Sequence, residues 1–302
     1  MKFTYATRGS ALALAQARAF VCQIAASHPG IALVEEKVVT TGDRILDRPL
    51  ADLGGKGLFI KEIEEALLSA RADFAVHSIK DVPGILPPGL VIVCIPVRED
   101  VRDVLVAPRH GLLGALPKGA RIGTSSLRRA ASLRGARPDL EIAPVRGNID
   151  TRLRKVDSGE FDAIILARAG LLRLGLEHRA TDVLSPDVSL PAVGQGALGI
   201  ECRQDNDQVC ALLAPLHDEL SSRCVAAERG VLVALEGDCK TPIAAYAEKL
   251  GGSGEPSHIH LRAFVCNPDG TNMRRAQQTM AWPTSDAEAE AFGSRIGQSL
   301  LR

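Results

Sequence analysis

The stretch GTSSLRRAASLRG, residues 123–135, places three hydroxyl side chains, Thr124, Ser125 and Ser126, ahead of Arg128 and Arg129. The hydroxyls read as a helix cap, which puts the two cations in a first helical turn. A helix N-terminus already carries partial positive charge and exposed N–H groups, so cations belong at its other end unless an anion is present. Arginine suits bidentate capture of carboxylate or phosphate, and free N–H groups with hydroxyls complete a cradle for such an anion. The competing reading is a solvated basic helix face behind a serine cap, and this stretch alone does not separate the two.

Other arginines stand at comparable places. Arg8 follows FTYAT, Arg146 follows LEIAPV with Arg152 a turn and more beyond, and Arg168 and Arg173 follow FDAIILA. Residues 121–179 hold eleven Arg and one Lys against seven acids. Scattered surface arginines explain that density poorly; a site for a substrate with several carboxylates or phosphates explains it well.

HSIKDVP, residues 77–83, sets Lys80 and Asp81 at another strand end. A carboxylate among arginines stays ionised and can bind an N–H donor or stabilise a developing cation, although an isolated Asp in a turn is also an ordinary turn former. His77 reads as a base or, more simply, as a hydrogen-bonded core or edge histidine. EGDCKTPI, residues 236–243, puts Cys239 in a turn, whereas the other six cysteines sit within apolar runs. A loop thiol can be a nucleophile, with Lys240 favouring its thiolate and Asp238 opposing it. GGKG at 54–57 lacks the spacing and following Ser/Thr of a phosphate loop, and the surrounding residues 42–57 read as a loop able to act as a lid.

These residues need a scaffold. Apolar runs such as FTYAT (3–7), FAVHS, LVIVCIPV, DVLVA and FDAIILA alternate with helical patterns such as SALALAQARAFVCQIAA (10–26) and GLFIKEIEEALLSA. That alternation predicts βα units and a largely parallel sheet, with ligands collecting at strand C-terminal ends. ALGIECR (197–203) reads as one more strand, returning to the first domain. From about residue 216 the pattern changes to a helix, three strands (IAAYAEKL, HIHLRAFVC, RRAQQTM) and a last helix, predicting an α+β domain with an antiparallel sheet. At 302 residues and 46% hydrophobic content the chain is long enough for two or three cores. Zero formal net charge and 3% aromatics argue against nucleic-acid binding. The cysteines show no metal-ligand spacing, so no metal is expected. No apolar run reaches membrane-spanning length and no signal peptide opens the chain, which predicts a cytoplasmic protein with no membrane partner.

Taken together, ATRGSALALAQA, TTGDRILDRPLADLGGKGLFIKEIE, RADFAVHSIKDVP, GTSSLRRAASL, VRGNIDTRL, FDAIILARAGLLRLGL, SLPAVGQGALGIECR and EGDCKTPI mark the chain as one that resembles the porphobilinogen deaminase (hydroxymethylbilane synthase) family from end to end. The resemblance implies two α/β lobes folded like type II periplasmic binding proteins, residues 1–97 with 197–215 and residues 98–196, with the active-site cleft between them. It also implies a C-terminal α+β domain, residues 216–302, with a three-stranded antiparallel sheet. A dipyrromethane cofactor on a thioether to Cys239 would receive four porphobilinogen molecules head to tail, each losing ammonia, to give the linear bilane of haem and other tetrapyrrole biosynthesis.

By the same resemblance, Asp81, Arg8 and Lys80 are catalytic, and Arg128, Arg129, Arg146, Arg152, Arg173, Ser78 and Lys56 bind the substrate. Cys239, Lys80, Asp81, Thr124, Ser126, Arg128, Arg129, Arg146 and Asn148 hold the cofactor, and the protein is a monomer. Asp238 stands where family members often have glycine. The alternative is a two-lobed carboxylate- or phosphate-binding protein without chemistry; Cys239, which such a protein would not need, separates the two.

Overall fold

The computed structural model describes residues 1–44, 60–237, 241–252 and 257–301. Lys56, Cys239, its neighbour Asp238 and most of the 42–57 loop therefore lie outside the described residues.

In chain order the first elements are β1 (Lys2–Arg8), α1 (Ala11–Ser27), β2 (Ala32–Val38), α2 (Thr41–Arg44), α3 (Lys61–Leu68), β3 (Phe74–Ser78) and β4 (Leu90–Cys94). There follow β5 (Asp103–Val106), β6 (Arg121–Gly123), α4 (Leu127–Ala136), β7 (Glu141–Ala143), α5 (Ile149–Asp157), β8 (Ala163–Ala167), α6 (Arg168–Arg173) and β9 (Asp182–Leu184). The last are β10 (Leu198–Arg203), α7 (Asp207–Leu213), α8 (Glu219–Ala234), β11 (Ile243–Leu250), β12 (His258–Val265), β13 (Arg274–Ala281) and α9 (Asp286–Ser299). The chain forms two compact units, Met1–Arg98 with Ala197–Ser222, and Glu99–Gly196 with Arg223–Arg302.

The first unit is built on a five-stranded sheet in the order β2-β1-β3-β10-β4. β1 runs parallel to β2 and β3, while β10 enters antiparallel between β3 and β4. ALGIECR thus returns to this sheet as the sequence predicts, but as the one antiparallel strand: the polypeptide re-enters from outside the βα succession and no crossover helix forces it parallel. Side chains alternate between faces. Phe3, Tyr5, Phe74, Val76 and Ile200 pack with Phe20 and Ile24 of α1, whereas Ala6, Val38 and Ala75 pack with Ile63, Ala66 and Leu67 of α3.

The second unit repeats the pattern in the order β7-β6-β8-β5-β9, with β5 antiparallel to both neighbours. The shared order, one inserted antiparallel strand in each sheet, is the type II periplasmic-binding-protein topology that the family resemblance implies. The same unit carries the predicted antiparallel sheet β11-β12-β13. Its inner face (Ile259, Leu261, Ala263) packs against Val231 of α8 and Phe292 and Ile296 of α9. α8 and α9 meet through glycine: a Cβ on Gly293 would run into the Ala227 carbonyl, and one on Gly230 into that of Glu290.

Candidate active site

In the first unit the strand ends deliver the predicted residues together. β1 ends on Arg8 and β3 on Ser78; a 3₁₀ turn, Ile79–Asp81, follows β3. Val82 N–H donates back to Ile79 O at 3.0 Å to close the turn, and Ile79 N–H donates to Ala197 O at 3.1 Å to tie it to the chain entering β10. Buried Ile79 anchors the turn, leaving Lys80 and Asp81 exposed. Ser10 caps α1, accepting from Ala13 N–H at 3.3 Å, and Ser78 Oγ donates to Gln16 Oε1 of α1 at 3.0 Å. Arg8, Gln16, His77, Ser78 and Asp81 line one pocket floored by apolar residues such as Ile63.

Gln16 was not singled out by sequence reasoning; an amide on an otherwise apolar helix face was the available signal. His77 is buried and bonds Glu201 Oε2 through Nε2 at 2.9 Å, which agrees with its simpler reading.

In the second unit β6 leads into the hydroxyl run. Thr124 N–H donates to Ala143 O at 2.9 Å, Ser126 N–H donates to Thr124 Oγ1 at 3.2 Å, and Ser126 Oγ caps α4 by accepting from Arg129 N–H at 3.4 Å. Ser125 faces away, donating to Val145 O at 2.7 Å. Arg128 and Arg129 are 5% and 8% exposed and surround Asp103, the first residue of β5, which is fully buried.

Asp103 Oδ2 accepts from Arg128 Nη2 at 2.8 Å and from Ser189 Oγ at 2.7 Å. Its Oδ1 accepts from Arg129 Nε at 3.0 Å, Arg129 Nη2 at 2.8 Å and Gln195 Nε2 at 3.0 Å. Burial alone would raise the Asp103 carboxyl, but the two guanidiniums and the hydrogen bonds from Arg129 and Ser189 hold it well below the usual carboxylate range. The anion demanded by two cations in a first helical turn is therefore, in the first place, an internal carboxylate. Sequence reasoning read Asp103 as the opening of an apolar strand; an acid abutting a fully buried strand was the signal it missed.

The triad does not exhaust the donors. Arg128 also donates to Leu190 O, yet its Nε is buried with no hydrogen-bond partner among the described residues. Arg152, at the end of the first turn of α5, donates from Nε to Gly147 O at 2.8 Å. Burial first, and the neighbouring Arg129 and Arg146 second, push the Arg152 guanidinium down to about 10. Gly147 takes φ +105°, a conformation that favours glycine, and so aims the chain into α5 behind Asn148. Asn148 is exposed and makes no side-chain cap bond.

Arg173 ends α6 and donates to Gly196 O at 2.6 Å; burial lowers it and Glu99 opposes the shift. Arg168 instead pairs with Asp100 at 2.8 Å, beside Arg102. Thr124, Ser126, Arg128, Arg129, Arg146, Arg152 and Arg173 thus belong to one unit, and Arg8, Ser78, Lys80 and Asp81 to the other. Lys56 and Cys239 lie outside the described residues.

This donor set fits a group bearing several carboxylates. An unpartnered buried Arg Nε and a guanidinium depressed by burial and by two other cations both gain from added negative charge.

The model of the family described as "Porphobilinogen deaminase, dipyromethane cofactor binding domain" matches residues 3–211, and that of "Porphobilinogen deaminase, C-terminal domain" matches residues 222–302. A porphobilinogen deaminase of Sorangium cellulosum is 59% identical over 301 residues, covering 100% of this chain and 99% of that protein. One of Syntrophotalea carbinolica is 50% identical over 295 residues, covering 98% and 91%. Among solved structures, a Salmonella typhimurium periplasmic binding protein of high arginine specificity aligns with 73% of this chain and 93% of its own, at 15% identity and a TM-score of 0.38.

Proposed function

The chain belongs to the porphobilinogen deaminase family, and on that premise we propose which of its residues carry the family's reaction. The protein is a transferase of tetrapyrrole biosynthesis that joins four porphobilinogen molecules head to tail, releasing ammonia at each step, to give hydroxymethylbilane. Its cofactor is a dipyrromethane, which supplies the pyrrole end onto which the chain is built. We assign the thioether attachment to Cys239.

Each pyrrole ring carries an acetate and a propionate, so every condensation adds two carboxylates. Arg128, Arg129, Arg146, Arg152 and Arg173, with Thr124, Ser126 and Asn148, bind those carboxylates on cofactor and growing chain. The observation that carries this assignment is the cation cluster of Arg129, Arg146 and Arg152, in which burial and mutual repulsion depress Arg152. Such a cluster costs stability when empty and gains it back when carboxylates bind.

Asp81 is the catalytic carboxylate. As ammonia departs, positive charge develops on the substrate pyrrole, and a fixed carboxylate beside the ring N–H stabilises it. The same group takes the proton lost when the ring regains aromaticity. Arg8 and Ser78 line Asp81's pocket and hold a carboxylate of the incoming substrate; Lys80 and Lys56 add charge.

We further assign residues 1–97 with 197–215, 98–196 and 216–302 as three domains, a division supported by the three separate sheets. No helix among the described residues is long and apolar enough to cross a membrane; we assign the protein to the cytoplasm, as a monomer.

Intact mass and peptide mapping of the Cys239 segment test the reading. The expected result is an adduct of two linked pyrrole units, or its appearance with ammonia release on incubation with porphobilinogen. An unmodified thiol after that incubation would refute it and leave a binding protein.

A further inference from the structure

The pocket that holds Asp81 has a buried wall for which carboxylate binding has no use. His77 on β3 lies diagonally across from Glu201 on β10, since Glu201 is in register with Ala75. Both side chains therefore share the sheet face that α3 covers. Their side chains are 3% and 0% exposed and meet at 2.9 Å. Glu64 stands in the first turn of that helix.

Glu64 Oε1 and Glu201 Oε1 are both buried without a hydrogen-bond partner among the described residues. Burial first, and Glu201 second, raise the Glu64 carboxyl, while His77 opposes the shift. A carboxylate oxygen accepts, so the 2.9 Å contact with Glu201 Oε2 makes His77 Nε2–H the donor. That bond fixes the ring's tautomer and leaves Nδ1 as the acceptor; His77 is among the residues that line the pocket with Arg8, Ser78 and Asp81.

We propose that His77 is a proton relay that discharges Asp81 after each condensation, with Glu201 as the positioning residue behind it. The proposal rests on the assignment of Asp81 above. When the new carbon–carbon bond has formed, the C–H bond at the joined pyrrole carbon breaks. Its electron pair returns to the ring and its proton goes to the Asp81 carboxylate. His77 Nδ1 accepts that proton across the pocket, becoming an imidazolium neutralised by Glu201. The proton then leaves on the released ammonia, as ammonium, and Asp81 is again the carboxylate that the next departure of ammonia requires. Glu201 from β10 bonds the His77 ring, Arg8 from β1 and Asp81 from the turn after β3 line the same pocket, and Glu64 stands on α3; Gln16 and Ser78, also in the pocket, are neutral.

The test compares kcat against pH for cofactor-loaded wild type, Glu201→Gln and His77→Gln. A relay must be neutral to accept, so wild-type kcat falls on the acid side. Glu201→Gln keeps an acceptor for Nε2–H but removes the charge that favours imidazolium, so the acid limb moves to lower pH by about one unit or more. His77→Gln loses that limb and about 10²-fold in kcat with KM little changed. A readout without turnover is the ¹⁵N spectrum of histidine-labelled protein, in which His77 shows the Nε2–H tautomer.

Superimposable pH profiles in the variants, an Nδ1–H tautomer, or failure of both variants to fold would overturn the relay and leave the pair a structural one. If His77→Gln alone fails to fold, the Glu201→Gln profile decides. Wild-type protein that does not consume porphobilinogen would instead defeat the functional reading itself, so the two failures are distinct.

Discussion

Asp103→Asn isolates the internal anion. The substitution preserves shape and several hydrogen bonds but leaves the guanidiniums of Arg128 and Arg129, both buried, facing a neutral amide where a carboxylate at 2.8 Å had balanced them. Breaking a buried ion pair by removing one partner costs about 3–5 kcal/mol. Against a typical total stability of about 5–15 kcal/mol that is a large fraction. At about 2–4 °C per kcal/mol it lowers Tm by roughly 6–20 °C at pH 7.

The pH dependence has a definite sign. The folded Asp103 carboxyl lies below its ordinary range, so its contribution is present above the unfolded value near about 3.9 and is lost as pH falls through that value towards the folded one. The gap in Tm between wild type and Asn variant should therefore narrow on acidification from about pH 5 downward. An external anion can replace the missing one, so phosphate should raise the variant's Tm more than the wild type's. Calorimetry across pH, with and without phosphate, measures all three effects. A Tm within about 2 °C of wild type at pH 7 would refute the reasoning, because it would mean that the two guanidiniums are compensated by something other than Asp103.

Three further outcomes follow from the same geometry. Arg152→Met should slow bilane formation at least about 10-fold while leaving the cofactor-free protein as stable as wild type or more so, because it removes a cation depressed to about 10 by burial and like charge; parallel loss of activity and Tm would count against a binding role. Asp81→Asn, at an exposed position, should keep the wild-type Tm and lose about 10²-fold or more in kcat; near-normal turnover would remove Asp81 from the chemistry. Gly293→Ala drives a Cβ into the Ala227 carbonyl where α8 and α9 touch, and urea titration should show a loss of about 1–3 kcal/mol or more; an unchanged midpoint would mean that the helices separate freely.

Much of this protein is legible in its sequence because short-range rules set it. Ser10 and Ser126 cap their helices as written, the apolar runs are strands, and the change of pattern near residue 216 precedes the antiparallel sheet β11-β12-β13. The arginines recur at strand ends because βα units present those ends together. The antiparallel insertion of β10 and β5 was not legible, since periodicity of two carries no direction. Nor was the difference between Arg168, tied to Asp100, and Arg152, crowded by other cations, which stand in similar local sequence.

What the sequence by itself determined is the inventory: which elements form, which side chains stand at their ends, and a surplus of cations at one stretch. Only the tertiary structure decided which charges are already spent. Asp103 precedes the arginines it neutralises by 25 and 26 residues, and Glu201 follows the histidine it holds by 124. The physical reason is that local sequence fixes backbone conformation over a few residues, whereas the charge state of a buried group depends on its neighbours in space, and sheet pairing brings those from anywhere in the chain.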